Sequence, residues 1–231
     1  MSQASRAVRR ARVLVIDVGG THVKVLATGR RTPVKIPSGA DLTAREMVRD
    51  VLRRTRGWKY DKVAIGYPGP VIHGHPLHEP PNLGKGWVGF DFQRAFHRPV
   101  RLINDAAMQA IGSYEGGRML FLGLGTGLGA ALIAEGQLDP MEIGHLPYKK
   151  GRTYEDYVGL RGLHRLGKKK WRRAVEDVVD RFRAALEPEY VVLGGGNARL
   201  LKHLPPGCRW GSNRNAFLGG FRLWADPRFR L

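Results

Sequence analysis

A short apolar strand, a glycine-rich turn and a second apolar strand occur twice in this chain, and this recurrence constrains its fold most strongly. Near the start, residues 13–16 lead into Asp17-Val-Gly-Gly-Thr21 and a second apolar run at 25–27. Later, residues 119–123 lead into Gly125-Thr-Gly-Leu-Gly129 and the apolar run 130–134. Two strands joined by a glycine turn predict a hairpin, not the strand-to-helix step of a dinucleotide-binding unit. The recurrence predicts two related halves.

The rest of the apolar pattern alternates between strands and helices, so we expect the α/β class. The predicted helices cover 42–56, 106–114, 171–186 and 216–224, and the further strands cover 62–67, 100–103 and 190–193. Residues 73–90 are rich in Pro, Gly and His and predict an ordered loop, while residues 1–12 form a basic tail. A length of 231 residues suits one large α/β domain or two small ones.

Composition excludes several classes of protein. The 39 Lys and Arg outnumber the 20 Asp and Glu, and the net charge of +19 favours polyanionic partners. An apolar content of 42% argues against disorder. One cysteine, Cys208, excludes an internal disulfide framework and a zinc site built on several thiolates, and fits a reducing cytosol. Because no apolar run is long enough to span a membrane, we expect a soluble, cytoplasmic protein.

The two glycine turns are candidate phosphate clamps. Glycines let backbone N–H groups approach a phosphate closely, and the Thr21 hydroxyl adds a donor. Asp17 at the strand end is a candidate to hold Mg²⁺ through water, because magnesium prefers oxygen ligands and keeps part of its hydration shell. The alternative is that each turn only joins two strands, with Asp17 as a cap. Their pairing in a repeated hairpin favours phosphate binding.

Two further places carry candidate chemistry. Asn104 and Asp105 follow a strand, where a carboxylate can accept a hydroxyl proton as the oxygen attacks phosphorus. The residues equally allow a helix N-cap, since Ala106 and helix-forming residues follow. Glu142 and His145, with Glu155 downstream, supply the acceptors and donors that sugar hydroxyls need. Their alternative is a solvated loop with incidental charges, and their spacing matches no zinc pattern.

Taken in order, these motifs resemble the ROK family of sugar kinases, over residues 13–224. The motifs are Asp17-Val-Gly-Gly-Thr-x-x-Lys24, Gly66-Tyr-Pro-Gly69, Asn82-Leu-Gly84 with Trp87, Asn104-Asp105, Leu124-Gly-Thr-Gly127, Glu142-x-Gly-His145 and Gly194-Gly-Gly196. Within that family, the stretch 142–157, Gly167-Lys-Lys-Lys-Trp-Arg-Arg173 and Gly194-Gly-Gly-Asn-Ala-Arg199 are similar to the branch of glucokinases that use polyphosphate.

The resemblance implies two ribonuclease-H-like α/β domains of the actin/hexokinase superfamily around a central cleft. Residues 1–103 with 215–231 would form the N-terminal kinase domain, and 104–214 the C-terminal one. Asp105 would be the general base for the 6-hydroxyl of glucose. The implied sugar-binding residues are Gly69, Asn82, Asn104, Glu142, His145 and Glu155. The implied phosphate-binding residues are Asp17, Gly19, Gly20, Thr21, Lys24, Gly125, Thr126 and Gly127, and Gly195 and Gly196 form the turn on the nucleotide side.

The implied reaction transfers a phosphoryl group from inorganic polyphosphate, with ATP as a second donor, to glucose, giving glucose 6-phosphate in the presence of Mg²⁺. The alternative is an ATP-dependent ROK hexose kinase that acts on glucose or mannose. The family's zinc-binding cysteines are replaced here by residues 149–155, which contain no cysteine, so no zinc is expected. The family also implies a homodimer.

A polyphosphate donor carries roughly one negative charge per phosphate, so its binding should follow the counterion release known for nucleic acids. The candidate basic track consists of Lys149, Lys150, Arg152, Lys168, Lys169, Lys170, Arg172 and Arg173. The last five open a predicted helix, where cations oppose the helix dipole at about 0.3–1 kcal/mol each, which points to a ligand. The alternative is a solvated basic face.

Two other functional classes explain less of the sequence. A sugar-responsive ROK repressor carries a helix-turn-helix domain before its kinase-like body, and here the first strand is expected by Val13, which leaves no room for one. A nucleic-acid-binding protein would account for the net charge of +19 but not for the ordered glycine turns and Asp105. We therefore expect neither a DNA nor a membrane partner.

Overall fold

The computed structural model describes residues 11–212 and 214–229, so most of the predicted basic tail lies outside the described residues. The strands are β1 (Val13–Val18), β2 (His22–Ala27), β3 (Val34–Pro37), β4 (Lys62–Tyr67), β5 (Val71–Ile72), β6 (His75–Pro76), β7 (Val100–Asn104), β8 (Arg118–Leu124), β9 (Leu128–Ala134), β10 (Gln137–Met141), β11 (Pro147–Lys149), β12 (Arg152–Thr153), β13 (Tyr190–Gly194) and β14 (Cys208–Trp210). The helices are α1 (Ala44–Arg54), α2 (Phe92–Phe96), α3 (Asp105–Ser113), α4 (Tyr154–Val158), α5 (Leu160–Leu186) and α6 (Asn215–Ala225).

Two five-stranded sheets share one topology. The first has the order β3-β2-β1-β4-β7 and the second the order β10-β9-β8-β13-β14. In each, the central strand pairs antiparallel with the next strand along the chain and parallel with a strand that follows later. The α/β class, both glycine-turn hairpins and the internal duplication are therefore confirmed.

Three buried clusters arrange the sheets and helices in layers. One cluster joins inward-facing residues of both sheets to α3 and α6, which therefore lie between the sheets. A second packs α1 and α2 on the other face of the first sheet, and a third packs α5 on the other face of the second. Strand β1 is buried along its whole length, as expected for a continuous apolar run covered on both faces.

Helices α3 and α6 approach each other to backbone contact between the sheets. A Cβ added to Gly112 would lie 1.9 Å from the carbonyl oxygen of Asn215, and one added to Gly219 would lie 1.7 Å from that of Met108. Only glycine allows this approach. The two helices therefore pack tightly in the layer between the sheets.

Most of the predicted helices are confirmed within two residues at either end, and the main difference is α5. A helix was expected over 171–186, but α5 begins at Leu160 and bends at Gly167, whose φ of 69° lies in the left-handed region. Leucines 160, 163 and 166 give the extra segment a helical apolar spacing that the intervening basic residues mask in the sequence. The predicted loop 73–90 contains the end of the small β5–β6 hairpin. None of the helices in the described part of the chain combines the length and apolarity needed to cross a bilayer.

Candidate active site

The first glycine turn joins β1 to β2 and is closed by its own backbone. The Gly19 amide donates to the carbonyl oxygen of His22 at 3.2 Å, while Gly20 and Thr21 lie exposed at the tip. Ser38, just after β3, donates its hydroxyl to the Gly19 carbonyl at 2.6 Å. Sequence reasoning missed Ser38, because its contact depends on the register of the neighbouring strand.

Asp17 and Lys24 face each other across the β1–β2 hairpin below this turn. The Lys24 ammonium donates to Asp17 Oδ2 at 3.1 Å, and Asp17 is only 8% exposed. A buried carboxylate is stable when a cation accompanies it. Lys24, which the sequence assigns to the phosphate clamp, therefore pairs with the carboxylate at the base of the turn. Its side chain remains partly exposed.

The second glycine turn joins β8 to β9 and is supported from two sides. The carbonyl oxygen of Thr126 accepts the Leu160 amide at 3.0 Å, and that of Gly125 accepts the Asn197 side-chain amide at 2.9 Å. Gly195 has a φ of 82°, and a Cβ there would lie 2.5 Å from the carbonyl oxygen of Leu124. The structure thus brings the predicted phosphate turn and the predicted nucleotide-side turn into direct contact, and Gly195 is required at this junction.

Glu155 also supports the second turn. Its Oε2 accepts the Leu128 amide at 3.1 Å, and a Cβ added to Gly127 would lie 2.1 Å from the same oxygen. Arg161 lies beside this carboxylate, with Nη2 3.5 Å from Oε1. Glu155, which was predicted to bind sugar, therefore also supports the phosphate turn. Arg161 lies beside it and was not singled out from the sequence.

Asn104, and not Asp105, is the N-cap of α3. The Asn104 Oδ1 accepts the Ala107 amide at 3.0 Å, and its Nδ2 donates to the carbonyl oxygen of Gly69 at 3.1 Å. Asp105 lies in the first turn of the helix, where its Oδ1 accepts the Ala106 amide at 2.7 Å. The capping role that the sequence left open for Asp105 is thus filled by its neighbour.

The electrostatic surroundings of Asp105 favour its protonated form at mildly acidic pH. Burial raises its pKa most, the charge of Asp17 raises it further, the Ala106 amide opposes the rise and Glu142 adds to it, giving a pKa of about 7. Asp17 and Asp105 lie at the ends of β1 and β7, which run parallel to β4 between them. Parallel strands end at the same edge of a sheet, so both carboxylates lie along that edge, close enough for the charge of Asp17 to act on Asp105.

Glu142 precedes and His145 ends a short 3₁₀ helix, Ile143–His145, that packs on the start of β9. A Cβ added to Gly144 would lie 2.7 Å from the carbonyl oxygen of Leu128, so glycine allows this contact. The His145 Nδ1 lies 3.9 Å from Glu142 Oε2, and both side chains are exposed. Burial and then the charge of Glu155 raise the pKa of Glu142, while His145 opposes them. His145 and Glu155 therefore both interact electrostatically with Glu142.

The loop that carries Asn82 packs against the first glycine turn. A Cβ added to Gly20 would lie 3.3 Å from the Cβ of Asn82, which is itself exposed. The loop is held from within, because the carboxylate of Glu79 accepts the backbone amides of Gly86 and Trp87 at 3.1 and 3.0 Å. Glu79 was not identified from the sequence, since an acidic residue in a loop gives no sign of three-dimensional partners.

In the structure, the residues of the predicted basic track lie in different surroundings. Lys149 lies on the β11–β12 hairpin and pairs with Asp177 of α5 at 2.9 Å. Arg172 donates to the carbonyl oxygen of Leu200 at 2.7 Å, so it lies against the segment after β13. The remaining track residues are exposed: Lys150, Arg152, Lys168, Lys169, Lys170 and Arg173. Helical spacing places Lys170 and Arg173 on the face of Asp177, and Lys168 on that of Arg172.

A cavity of about 600 Å³ opens beside the nucleotide-side turn. It is lined by both predicted residues of that turn, Gly195 and Gly196, together with Arg199, Trp210 and Arg214. The indole of Trp210 is 52% exposed, which is unusual for a tryptophan and leaves a face open to a ligand. Arg199 ends the motif that the sequence analysis singled out, whereas Trp210 and Arg214 were missed because they lie on β14 and just before α6, away from that motif in the chain.

The donor set beside the first turn suits a hard cation. Asp17 and Asp105 offer only carboxylate oxygens, and no soft ligand joins them in the contacts described above. Among residues 11–212 and 214–229, no group of three or more His, Cys, Asp and Glu side chains is arranged to hold a metal ion. The carboxylate of Asp17 at this edge therefore fits a cation that keeps most of its water, as Mg²⁺ does.

Comparisons with known proteins identify the family and the fold. The family model described as ROK family matches residues 13–153. The polyphosphate glucokinase of Mycobacterium tuberculosis (strain CDC 1551 / Oshkosh) is 28% identical over an alignment of 208 residues, which covers 80% of this chain and 77% of that protein.

Two solved structures show the same fold. The inorganic polyphosphate/ATP-glucomannokinase from Arthrobacter sp. strain KM has a TM-score of 0.77 at 23% identity and covers 93% of this chain and 98% of its own. A ROK family glucokinase from Streptomyces griseus, in complex with glucose and AMPPNP, has a TM-score of 0.74 at 17% identity. It covers 92% of this chain and 98% of its own. At these identities the similarity establishes the shared architecture of the two sheets.

Proposed function

Because this chain belongs to the ROK family, we propose that it is a glucokinase that transfers a phosphoryl group from inorganic polyphosphate to the 6-hydroxyl of glucose, giving glucose 6-phosphate. The observation that carries the proposal is the position of Asp105. Its carboxylate lies at the edge where β1 and β7 end, within electrostatic reach of Asp17 on one side and Glu142 on the other.

The pKa of Asp105 supports its role as the general base. A base is most effective when its pKa lies near the working pH, and burial with the charges of Asp17 and Glu142 raises this one to about 7. Asn104 fixes the start of α3, so the carboxylate is held at one position in the helix. Asp105 would take the proton from the 6-hydroxyl as that oxygen attacks phosphorus.

The sugar would lie between the two halves of the chain, beside the start of α3. Glu142, His145 and Glu155 come from the second half of the chain and can hydrogen-bond several hydroxyls at once. Asn104 holds the Gly69 carbonyl, and so joins α3 to the loop after β4 that would approach the ring. The exposed amide of Asn82 would add a contact from the loop beside the first turn.

The two glycine turns would hold the end of the donor. Backbone N–H groups can lie close to phosphate oxygens where no Cβ intervenes, and they are already oriented before charge develops on the moving phosphoryl group. Residues of the first turn would be Gly19, Gly20 and Thr21, with Lys24 as a point charge. Residues of the second would be Gly125, Thr126 and Gly127.

We assign the Mg²⁺ site to Asp17, acting through bound water, because its carboxylate faces the edge of the sheet where Asp105 also lies. When bound, Mg²⁺ supplies positive charge to the donor phosphates. The protein's own part is to orient that carboxylate, which the ammonium of Lys24 does at 3.1 Å. The absence of zinc, the homodimer, the domain boundaries and the cytoplasmic location stay predictions.

Two observations favour polyphosphate as the donor. Exposed basic residues lie on α5 and on the β11–β12 hairpin in a chain of net charge +19: Lys168, Lys169, Lys170 and Arg173 on the helix, and Lys150 and Arg152 on the hairpin. Two similar proteins are named polyphosphate glucokinase and inorganic polyphosphate/ATP-glucomannokinase. The cavity beside Gly195 and Gly196, with Trp210 at its edge, supports ATP as a second donor and keeps the ATP-dependent hexose kinase as the alternative.

A phosphorylation assay with glucose and mannose against polyphosphate and ATP tests the proposal directly. We expect glucose 6-phosphate from polyphosphate, with a rate that falls steeply as salt concentration rises, since cationic contacts release counterions on binding. Turnover with ATP alone would support the hexose-kinase alternative. No phosphorylation of either sugar with either donor would overturn both.

A further inference from the structure

The β11–β12 hairpin connects two of the residues proposed to bind glucose. His145 precedes it and Glu155 follows it, and the Tyr154 amide closes its base by donating to the carbonyl oxygen of Leu146 at 3.2 Å. The tip turns through Lys150, with a φ of 53°. The hairpin therefore connects the chain segments that carry both sugar residues, and a change in its orientation would shift the backbone at His145 and Glu155 relative to each other.

Asp177 of α5 binds this hairpin through one oxygen. Its Oδ2 accepts the hydroxyl of Tyr148 and the ammonium of Lys149 at 2.9 Å, both on β11, and the guanidinium of Arg181 at 3.0 Å. Burial alone would raise the pKa of Asp177, but the hydrogen bonds from Tyr148, Lys149 and Arg181 outweigh it and lower the pKa to about 2. The carboxylate is therefore ionised at any pH at which the protein would work, and its hydrogen bonds are charge-assisted.

Aromatic rings pack beneath this contact. The ring of Tyr148 stacks on that of Tyr154 with centroids 4.7 Å apart and meets the ring of Tyr157 edge-on at 4.8 Å. Tyr154 in turn packs on Phe182 of α5 at 4.6 Å. Ring contacts supply burial but tolerate sliding, whereas a hydrogen bond to an ionised acceptor fixes one orientation. Asp177 is therefore the directional part of the contact between hairpin and helix.

We propose that Asp177 is a positioning residue for glucose, which fastens the β11–β12 hairpin to α5 through Tyr148 and so fixes the relative placement of His145 and Glu155. The inference rests on the proposed function for the identity of the sugar. It assigns no contact between Asp177 and glucose. Its effect passes through the hairpin, and it should therefore appear in sugar binding more than in the chemical step.

The Asp177→Asn variant tests the inference by removing the charge while keeping the shape of the side chain. We expect the KM for glucose and its Kd, measured by calorimetry without donor, to rise about tenfold, with kcat within about threefold, because the neutral amide no longer offers an ionised acceptor that fixes the hairpin. Trypsin should cut faster after Lys149, Lys150 or Arg152 in the absence of any substrate. The matched control is Asp180→Asn, which removes the same charge from an exposed position of the same helix.

Several results would overturn the inference. One is a glucose KM and a trypsin rate in Asp177→Asn equal to those of Asp180→Asn. Another is a lower melting temperature with unchanged glucose binding, which would make the contact only structural. A loss confined to kcat would also overturn the inference, because it predicts an effect on glucose binding. If Asp177→Asn does not fold, Tyr148→Phe removes only the hydroxyl and is judged by the same measures. The trypsin readout needs no sugar or donor, so it separates failure of this inference from failure of the proposed function.

Discussion

The carboxylate of Glu155 accepts the backbone amide of Leu128 at 3.1 Å, and this one hydrogen bond connects the proposed sugar site to the second glycine turn. Leu128 is the first residue of β9, directly after that turn. The contact means that displacement of Glu155 by a sugar would be felt by the backbone amides proposed to hold phosphate. The two substrates are thus expected to influence each other's binding through Glu155.

Replacing Glu155 should therefore affect both substrates. In Glu155→Ala the Leu128 amide loses its acceptor, so we expect the KM of glucose and the KM of the donor each to rise by about fivefold or more, since an unsatisfied partner costs about 1–3 kcal/mol. Glu155→Gln keeps an acceptor oxygen, and its donor KM should stay near that of the wild type. Steady-state kinetics with each substrate varied in turn measures both effects, with the exposed Glu176→Gln on α5 as control. A donor KM unaffected in Glu155→Ala would contradict the coupling.

Asp105→Asn should abolish most of the turnover without unfolding the protein. Asn104 remains as the helix cap, and Asn at position 105 keeps an oxygen that can accept the Ala106 amide. Loss of a general base costs about 10²–10⁴ in kcat. Turnover at saturating substrates, with far-UV circular dichroism and glucose binding as controls for folding, measures the effect. A variant with nearly full turnover would show that this carboxylate has no part in proton transfer.

The pH dependence of the reaction should follow the ionisation of Asp105. Burial, with the charges of Asp17 and Glu142, raises its pKa to about 7, and a base works only when it is deprotonated. We expect kcat/KM to rise with pH and to reach half its plateau near pH 7 in the free enzyme. Rates from pH 5 to pH 9 at constant ionic strength test this. A flat profile, or a midpoint near pH 4, would contradict the assignment.

The stability of the fold should change over the same pH range for the same reason. A carboxyl group whose pKa is raised on folding stabilises the protein below its unfolded value of 3.8, and that contribution is lost as pH rises through about 7. Asp105→Asn removes the ionising group. Its melting temperature relative to the wild type should therefore increase between pH 5 and pH 8. An equal difference at both pH values would mean that the carboxylate is not destabilised by its surroundings.

The basic run at the bend of α5 should distinguish the two donors. Replacing Lys168, Lys169 and Lys170 together with Ala removes three exposed charges, so the KM for polyphosphate should rise strongly and its salt dependence should become shallower. The rate with ATP should change little. The control replaces the exposed cations Arg54, Arg56 and Lys59, which follow or end α1. Equal losses with both donors would contradict a role specific to polyphosphate, and unchanged rates with both donors would show that these lysines form only a solvated face.

Much of this protein is determined by local sequence. The two glycine turns, each between short apolar runs, were sufficient to predict both hairpins, because a strand and its turn are specified by neighbouring residues. The helix starting near Asp105 and the amphipathic part of α5 followed from apolar spacing in the same way. The order of these motifs also identified the family, which the match over residues 13–153 confirms.

Tertiary structure decided which of these residues act on one another. Glu155 holds an amide 27 positions before it, and Asp177 holds Tyr148 from 29 positions away, and neither contact leaves a periodic trace in the sequence. The wall of the nucleotide-side cavity, with Arg199, Trp210 and Arg214, likewise comes from separate segments. Hydrogen bonding and apolar periodicity along one element are short-range and can be read in order along the chain. Contacts between elements depend on how two sheets and their helices pack in three dimensions, and that packing alone set the environment of Asp105.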